Sequence, residues 1–187
     1  MCGATTVYLT YYDAINEQKA KAFMEACSQV VTQVKPPQLY FLFSSTGGSV
    51  DAGIVMYNYL RSLPVDLVMH NIGSIDSIAN VIFLAADKRY ASPHSTFLFH
   101  GISWGFGQGA QLTYSQLQET ASRFRSDEAK MIGIITQRSQ ITKDELEQLF
   151  RQGESKDLQF AVDRGVIQEV KEPKIPQGST VLSMNFS

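Results

Sequence analysis

The feature that most constrains the fold is a nearly continuous apolar run of strand length at Gln38–Ser45 (QLYFLFSS). A half-exposed strand alternates apolar and polar residues, and this segment does not. An unbroken apolar run is typical of a strand covered on both faces, as the central strands of a parallel sheet are. The segment therefore predicts a sheet with other elements packed on both of its faces.

Strands and helices alternate on both sides of this run. β-Branched and aromatic composition predicts further strands at Thr5–Thr10, Val65–Ile72, Arg89–Ala91 and Thr96–His100. Helical spacing of apolar residues predicts helices at Ile15–Val34, Asp51–Ser62, Ser77–Ala86, Tyr114–Ser139 and about Leu158–Arg164. Asn16 is the expected N-cap of the first helix, and Gly165 is expected to end the last one. A capping box formed by Thr142 and Glu145 predicts the start of a further helix. This order predicts an α/β fold with a mainly parallel sheet. Residues 1–187 are expected to form a single domain, with a C-terminal tail over about 171–187.

Composition and charge argue against several classes of protein. The 16 basic and 18 acidic residues leave a net charge of −2, so we expect no broad basic face for nucleic acid. No apolar run reaches the roughly 18 residues of a membrane span, and the longest, Ile78–Ala86, contains Asn80. The N-terminus lacks a secretory signal pattern, and two cysteines build neither a disulfide framework nor a four-ligand zinc site. We expect a soluble, cytoplasmic protein that uses no metal and no cofactor.

Three short features are candidates for catalysis. Gly47-Gly48 follows the apolar strand, where backbone N–H groups can face a ligand and stabilise an oxyanion; the alternative is a plain tight turn. Ser77 opens a predicted helix whose dipole favours negative charge; the alternative is a helix cap. His100 ends a predicted strand, where an imidazole can serve as a general base. For His70 and His94 we expect structural polar roles.

Four segments, in order, match the pattern of one known family. They are STGGSVDAG at Ser45–Gly53, GSIDSIANVIFLAA at Gly73–Ala86, FLFHGI at Phe97–Ile102 and AVDRGVIQEV at Ala161–Val170. The family patterns are SPGGSVxAG, GxAASMGAxLLAAG, a strand ending in HQP, and AxExGLIDxV. On these segments the chain resembles the Clp protease proteolytic subunit (ClpP) family of ATP-dependent serine peptidases, from about Thr5 to Val170.

The resemblance implies a fold and a set of residue roles. The implied fold is a ClpP/crotonase-like spiral of βαβ units with a protruding handle, a strand or loop plus the long helix, over about 101–139. Ser77 matches the nucleophile and His100 the general base, and the backbone N–H groups of Gly48 and Ile78 match the oxyanion hole. The segments that hold an extended peptide correspond to Ser49, Val50, Ile102 and Ser103.

The resemblance also implies partners. An unfolded or extended polypeptide is the implied substrate, and two stacked rings of seven subunits are the implied assembly. Phe99, Trp104 and Phe106 lie near the handle and are expected to supply apolar ring contacts. Only Met1–Ala4 precede the first predicted strand, where the family carries the loops that meet its ATPase, so a Clp-type ATPase partner is less strongly implied.

The chain departs from the family pattern at two positions close to the chemistry. The Asp that completes the family's catalytic triad aligns with Gly153, which has no side chain to orient an imidazole. Glu154 and Asp157 are the nearby carboxylates that could take its place. Asp76 stands directly before Ser77, where the family has a small residue, and could either repel the developing oxyanion or hold a neighbouring group.

These observations favour a Clp-type serine endopeptidase that acts by Ser–His acyl transfer, either fully active or weakened by the missing Asp. The alternative is a catalytically inactive ClpP-like ring subunit with a scaffolding or regulatory role. A third interpretation is acyl-CoA chemistry, because crotonase-like enzymes share the spiral fold and the glycine-rich oxyanion hole. That interpretation leaves Ser77 and His100 without a role.

Overall fold

A computed structural model describes residues 6–103, 105 and 111–184 of the chain. The described strands are β1 (Val7–Tyr12), β2 (Gln38–Ser45), β3 (Asp66–Asp76), β4 (Lys88–Ala91), β5 (Thr96–Leu98), β6 (Ser155–Lys156), β7 (Glu169–Val170) and β8 (Thr180–Ser183). The described helices are α1 (Glu17–Gln33), α2 (Val50–Ser62), α3 (Ala79–Phe83), α4 (Tyr114–Arg138), α5 (Lys143–Gln152) and α6 (Leu158–Asp163).

The strands form one sheet in the order β6-β5-β3-β2-β1-β8, and β4 pairs with β3 and β7 beside this path. The pairs formed by β1 to β5, β7 and β8 are parallel, and β6 runs antiparallel to β5. The α/β fold with a mainly parallel sheet is thus confirmed. Strand β2 spans Gln38–Ser45 as predicted. It is covered on both faces, since Phe41 and Phe43 on one face and Leu42 and Ser44 on the other are all buried.

Strand β3 is longer than the predicted Val65–Ile72, and the reason lies at Gly73. Its first half pairs with β4, and its second half, from Ser74, pairs with β5. A Cβ on Gly73 would lie 2.8 Å from the Ser44 hydroxyl oxygen, which accepts a hydrogen bond from the Ser74 N–H and donates one to the Ser74 carbonyl. The glycine makes room for this side-chain bridge at a register shift, so the strand continues where the sequence predicted a turn.

Other boundaries also differ from the predictions. Strand β5 ends at Leu98 instead of His100, and the predicted helix Ser77–Ala86 reduces to the five residues of α3. The predicted tail contains β8, which pairs with β1 at the edge of the sheet. The N-cap Asn16 is confirmed, as is the long helix α4 from Tyr114.

The start of α5 confirms half of the predicted capping box. The Thr142 hydroxyl accepts a hydrogen bond from the Glu145 N–H, as an N-cap does. The Glu145 carboxylate instead accepts a hydrogen bond from Arg164 Nε at 2.7 Å, which links α5 to the turn after α6. The local cap therefore gives way to a tertiary contact.

Phe99 corrects one expectation about the ring surface. Its side chain is 1% exposed and packs against Phe160, with 6.3 Å between ring centroids, so it belongs to the core. Trp104 and Phe106 lie outside the described residues. Within the described ranges, no helix combines the length and the apolar composition needed to cross a bilayer.

Candidate active site

Three neighbouring parallel strands bring the predicted site residues to one edge of the sheet. Gly47-Gly48 follows the end of β2, Ser77 follows the end of β3, and His100 lies two residues beyond the end of β5. In the sheet β3 stands between β2 and β5. Because the carboxyl ends of parallel strands meet at the same edge, the topology brings these segments together, as it does in other α/β proteins that bind ligands at that edge.

Ser77 has an unusual backbone conformation. Its φ is +58°, in the left-handed region that residues with a side chain rarely adopt. Its N–H donates to the Leu98 carbonyl at 2.9 Å, which ties the residue to the end of β5. The N-cap of α3 is Ile78, which makes no side-chain capping bond. Ser77 therefore does not serve as the helix cap that was its alternative interpretation.

The two glycines are required by close packing against their neighbours. A Cβ on Gly47 would lie 2.7 Å from the Ser77 Cβ, and a Cβ on Gly48 would lie 2.1 Å from the Ile15 carbonyl oxygen. Their φ angles of +83° and +144° also favour glycine. Gly47-Gly48 therefore does more than turn the chain, because its backbone lies directly against Ser77.

Two backbone N–H groups next to Ser77 have no acceptor within the described part of the chain. They belong to Gly48 and Ile78, the residues predicted to form the oxyanion hole. The Ile78 nitrogen lies 3.4 Å from the position that a Gly47 Cβ would take, so the two segments are adjacent. Unpaired N–H donors held on rigid backbone beside a hydroxyl are able to stabilise an oxyanion.

His100 is half-buried, and its ring is oriented by backbone. Its Nδ1 lies 2.8 Å from the carbonyl oxygen of Gly101. A carbonyl only accepts, so this contact assigns the proton to Nδ1 and leaves Nε2 free to accept a proton in the neutral ring. Among the residues described, the Ser77 hydroxyl and the His100 ring make no direct hydrogen bond. Such catalytic bonds often tighten only when substrate binds.

The residues at and near the position of the family's triad Asp make contacts with groups other than His100. Gly153 is the left-handed C-cap of α5, with φ of +61°. The Glu154 carboxylate lies 3.4 Å from Lys156 Nζ, and the Asp157 carboxylate accepts from the Phe160 N–H at 2.9 Å as the N-cap of α6. In the described structure neither carboxylate contacts the His100 ring, whose Nδ1 partner is a backbone carbonyl.

Asp76 is a half-buried carboxylate that directly precedes Ser77, the predicted nucleophile. Burial raises the pKa of Asp76, while a hydrogen bond from the Ser74 side chain and the positive charge of His100 lower it. The net direction is upward. The carboxylate is thus partly desolvated and lies within electrostatic reach of the predicted general base.

Asn80 is a site residue that the sequence reasoning missed. Its Nδ2 donates to the Ser77 carbonyl at 3.0 Å and to the Leu98 carbonyl at 2.9 Å, so one buried amide ties Ser77 to the end of β5. Its Oδ1 is buried without a partner in the described residues. The signal was a single amide in an otherwise apolar segment, because a buried polar group usually has a bonding role.

The four residues predicted to bind peptide lie around one cavity of about 370 Å³. Gly48 also lines it, so the cavity begins at the predicted oxyanion hole. The remaining lining residues are Glu17, Asp51, Arg123, Phe124 and Asp127. An ion pair of 2.6 Å between Arg123 and Asp51 joins α4 to α2 across this cavity.

Of the other two histidines, His70 has the structural role that was expected. His70 is fully buried, with Nδ1 2.7 Å from the Tyr40 hydroxyl and Nε2 3.0 Å from the Lys171 carbonyl oxygen. His94 is exposed in the turn between β4 and β5. The described residues contain no group of three or more His, Cys, Asp or Glu side chains that could hold a metal ion.

A family model and the curated relatives that match this chain point to the same family. A family model described as Clp protease matches residues 4–174. ATP-dependent Clp protease proteolytic subunit 2 of Pseudomonas aeruginosa is 29% identical over 93 residues, which is 49% of this chain and 46% of that protein. Proteolytic subunit 1 of Corynebacterium jeikeium is 31% identical over 127 residues, 64% of this chain and 67% of that protein. The chain therefore spans between about half and two thirds of the length of these curated relatives.

A solved structure extends the comparison to the fold. A point mutant of ClpP1 from Listeria monocytogenes superposes with a TM-score of 0.73, covering 89% of this chain and 92% of that one. The two sequences are 17% identical, so this similarity concerns the fold alone.

Proposed function

The chain belongs to the Clp protease family, and we propose that it is a serine endopeptidase that cleaves unfolded or extended polypeptides with Ser77 as nucleophile and His100 as general base. The observation that carries the proposal is the left-handed backbone of Ser77 between β3 and α3, pressed against Gly47. Such a strained turn between strand and helix presents a serine hydroxyl clear of its own backbone.

The proposed reaction is acyl transfer. Ser77 Oγ attacks the carbonyl carbon of the scissile peptide bond, and its proton passes to His100 Nε2. The N–H groups of Gly48 and Ile78 donate to the oxyanion that forms. The C–N bond then breaks as His100 returns the proton to the leaving amine. Water then attacks the acyl carbonyl carbon while His100 accepts its proton. The bond to Ser77 Oγ breaks as His100 returns that proton to Oγ, which releases the acid and restores Ser77.

The cavity beside the oxyanion hole suits an extended substrate. Ser49 and Val50 stand on its β2 side and Ile102 and Ser103 on its β5 side. Because Ser49 is the N-cap of α2 and Val50 is its first residue, an extended peptide is expected to pair as an added strand with the backbone of Ile102 and Ser103.

The missing triad carboxylate predicts weak activity. The Gly101 carbonyl holds the His100 proton on Nδ1, which is one task of the usual carboxylate, but a neutral carbonyl does not balance the charge of the imidazolium. In serine proteases, spoiling the triad Asp lowers turnover about 10⁴-fold, or roughly 5 kcal/mol of barrier. Turnover that is slow yet measurable is therefore expected.

Gly153 also supports a second candidate function, an inactive ClpP-like subunit that scaffolds or regulates a ring. Both candidates include self-association as two stacked rings of seven, and a Clp-type ATPase as a further partner. The relatives are named ATP-dependent proteases. Met1–Ala4, where the family's ATPase loops would fall, lie outside the described residues.

Hydrolysis of an unfolded protein, such as reduced and alkylated casein, tests the proposal. The native chain should release peptides, and Ser77→Ala should abolish the release. Ser62→Ala serves as the matched control, because its hydroxyl donates to the Tyr59 carbonyl at the far end of α2. Hydrolysis by Ser77→Ala at the native rate would exclude this nucleophile. Absence of hydrolysis by the native chain would favour the inactive subunit.

A further inference from the structure

We propose that Asn80 is a positioning residue of the active site, whose buried side-chain amide holds the Ser77 turn against the end of β5 and so fixes how the Ser77 and His100 segments meet. This inference rests on the proposed function, since it concerns the same reaction. The hydrogen bonds of the amide go to backbone carbonyls, so Asn80 acts through the segments that it holds and not on the reacting atoms.

The Leu98 carbonyl is the point at which the two segments meet. Leu98 is the last residue of β5, and His100 follows two residues later. Its carbonyl accepts hydrogen bonds from the Ser77 N–H and from Asn80 Nδ2, each at 2.9 Å. The chain that leads to His100 therefore leaves the sheet from a carbonyl to which both Ser77 and Asn80 are bonded. A displacement of about 1 Å between reacting groups can slow a reaction roughly 100-fold.

The Ser77 carbonyl completes the same network. It accepts from the Asn80 N–H at 3.1 Å and from Asn80 Nδ2 at 3.0 Å. Rotating the amide by half a turn would set its oxygen against two carbonyl oxygens, so the two acceptors assign the orientation of the side chain. Ser77, with its left-handed backbone, is thus held through both its N–H and its carbonyl.

The pairing of buried polar groups does not require this amide. Without the Asn80 side chain, the Leu98 carbonyl would keep the Ser77 N–H as donor, and the Ser77 carbonyl would keep the Asn80 N–H. The amide itself buries Oδ1 with no donor among the described residues, which is unfavourable in a core. A small apolar residue would leave no polar atom unpaired here. An unpaired buried atom of this kind calls for a reason other than core stability, and the site supplies one.

The position also distinguishes this chain from the ClpP pattern. The pattern GxAASMGAxLLAAG has alanine where this chain has Asn80. The chain therefore departs from the pattern both at Asn80 and at Gly153, the triad position. With glycine at that position, the placement of His100 depends more on the backbone that carries it, and the amide is bonded to that backbone at Leu98.

Asn71 offers a matched control, because it is a second buried asparagine that bonds to β5. Its Nδ2 donates to the Thr96 carbonyl at 2.9 Å, at the start of that strand, and its Oδ1 accepts from the Gly73 N–H at 2.9 Å. Both ends of this amide are paired, so its removal leaves the Gly73 N–H without its acceptor. Loss of the Asn71 amide should therefore destabilise the fold and leave the junction at Leu98 intact.

The first experiment compares Asn80→Ala and Asn71→Ala by urea unfolding and by initial rates on fluorescein-labelled, reduced and alkylated casein, expressed per folded chain. Asn80→Ala should lower kcat by about 10- to 100-fold, with KM unchanged because Asn80 does not line the cavity proposed for the peptide. Asn71→Ala should lower the urea midpoint by more than Asn80→Ala does and keep kcat within about twofold of the native value.

A second variant separates the lost bonds from the lost volume. Asn80→Asp keeps the size of the side chain, but a carboxyl group has at most one hydrogen for the two carbonyls, so this variant should also be slowed. A native kcat in Asn80→Ala, or an equal fall of kcat in Asn80→Ala and Asn71→Ala, would overturn the proposal.

The second experiment needs no catalytic activity. Hydrogen–deuterium exchange, resolved by fragmentation in the mass spectrometer, gives the exchange rate of the Ser77 N–H relative to that of the Ile15 N–H, which donates to the Gly47 carbonyl. Asn80→Ala should raise this ratio about tenfold, the effect of one ordinary hydrogen bond on a local opening, and Asn71→Ala should leave it unchanged. An unchanged ratio in Asn80→Ala contradicts the proposal. A raised ratio in Asn80→Ala, when the native chain hydrolyses no casein, would support the positioning and refute the proposed function.

Discussion

At the scale of single residues, Ser77 shows how local strain serves the site. It shares a positive φ with Lys35 alone among the described non-glycine residues. A side chain in this conformation costs on the order of 1–3 kcal/mol, and surrounding contacts must hold it there. Those contacts are the Leu98 carbonyl, which accepts from the Ser77 N–H, and the Asn80 amide, which donates to the Ser77 carbonyl.

We predict that the free energy of unfolding of Ser77→Gly exceeds that of Ser77→Ala by about 1 kcal/mol. Both variants lose the same hydroxyl, but only glycine relieves the strain of the positive φ. Urea unfolding at pH 7 measures the difference. The matched pair is Ser74→Gly and Ser74→Ala, in the extended part of β3, where the glycine variant should be the less stable one. A Ser77→Gly variant less stable than Ser77→Ala would show that the backbone there is unstrained.

The sequence singled out the candidate side chains of the site, but not the groups that hold them in place. Ser77 and His100 stood out because each sits in a recognisable pattern at fitting intervals. The Asn80 amide and the Gly101 carbonyl could not be assigned in the same way, because their roles depend on where β5 ends relative to β3. Contacts of that kind are set by tertiary register, which a local pattern does not encode.

At the scale of elements, β3 connects the two halves of the sheet. Its N-terminal half carries His70 and pairs with β4, and its C-terminal half delivers Ser77 beside β5. The sequence predicted only the first half as a strand, ending at Ile72, because Gly73 is a common turn residue. Only the bridge between Ser44 and Ser74 shows why the glycine sits inside a continuous strand.

His70 makes the stability of this strand sensitive to acid. Burial lowers the pKa of His70, with a further lowering from the Lys171 charge, whereas the Lys171 backbone bond and Glu172 raise it. The folded chain therefore binds the proton less tightly than the unfolded chain, whose histidine pKa is about 6.5. By linkage, stability is lost as the pH falls below that value.

We predict that His70→Gln loses less stability than the native chain between pH 7.5 and pH 5.5, because it removes this titrating group. Urea midpoints at the two pH values measure the loss. His94→Gln, which alters an exposed histidine in a turn, should keep the native pH dependence. Equal losses in the native chain and in His70→Gln would contradict the account of the buried ring.

At the scale of the whole molecule, the long helix α4 leaves part of its apolar surface uncovered. Tyr114 is 74% exposed and Leu117 is 50% exposed, both near the start of the helix. Large exposed apolar side chains close together on one helix are typical of a contact between subunits. The single chain thus has a surface suited to the proposed ring assembly.

The mainly parallel sheet followed from the sequence, whereas the short strands β6, β7 and β8 did not. The apolar strand and the βαβ order predicted the parallel sheet, whereas Thr180–Ser183 is exposed throughout and lies in the segment predicted as a tail. Its assignment as strand β8 depends on pairing with β1, which is remote in sequence. Such a distant partner leaves no trace in local periodicity.

We predict that light scattering at micromolar concentration gives the mass of a ring assembly. Fourteen copies of the 20.8 kDa chain would weigh about 290 kDa. Leu117→Glu should lower this mass, because it places a charge in the exposed apolar surface of α4. Ser115→Glu, which adds the same charge at a neighbouring exposed polar position on the same helix, should leave it unchanged. A monomer mass for the native chain would remove the assembly from the account.

The most direct test of the central claim is covalent labelling by a fluorophosphonate, followed by mass spectrometry of the intact chain and its peptides. An activated Ser77 should attack phosphorus, forming an O–P bond and expelling fluoride while His100 takes the proton. We predict one adduct per chain on the peptide containing Ser77, absent in Ser77→Ala and strongly slowed in His100→Gln. An adduct on another residue, or no adduct on a folded native chain, would contradict the claim that Ser77 is the nucleophile.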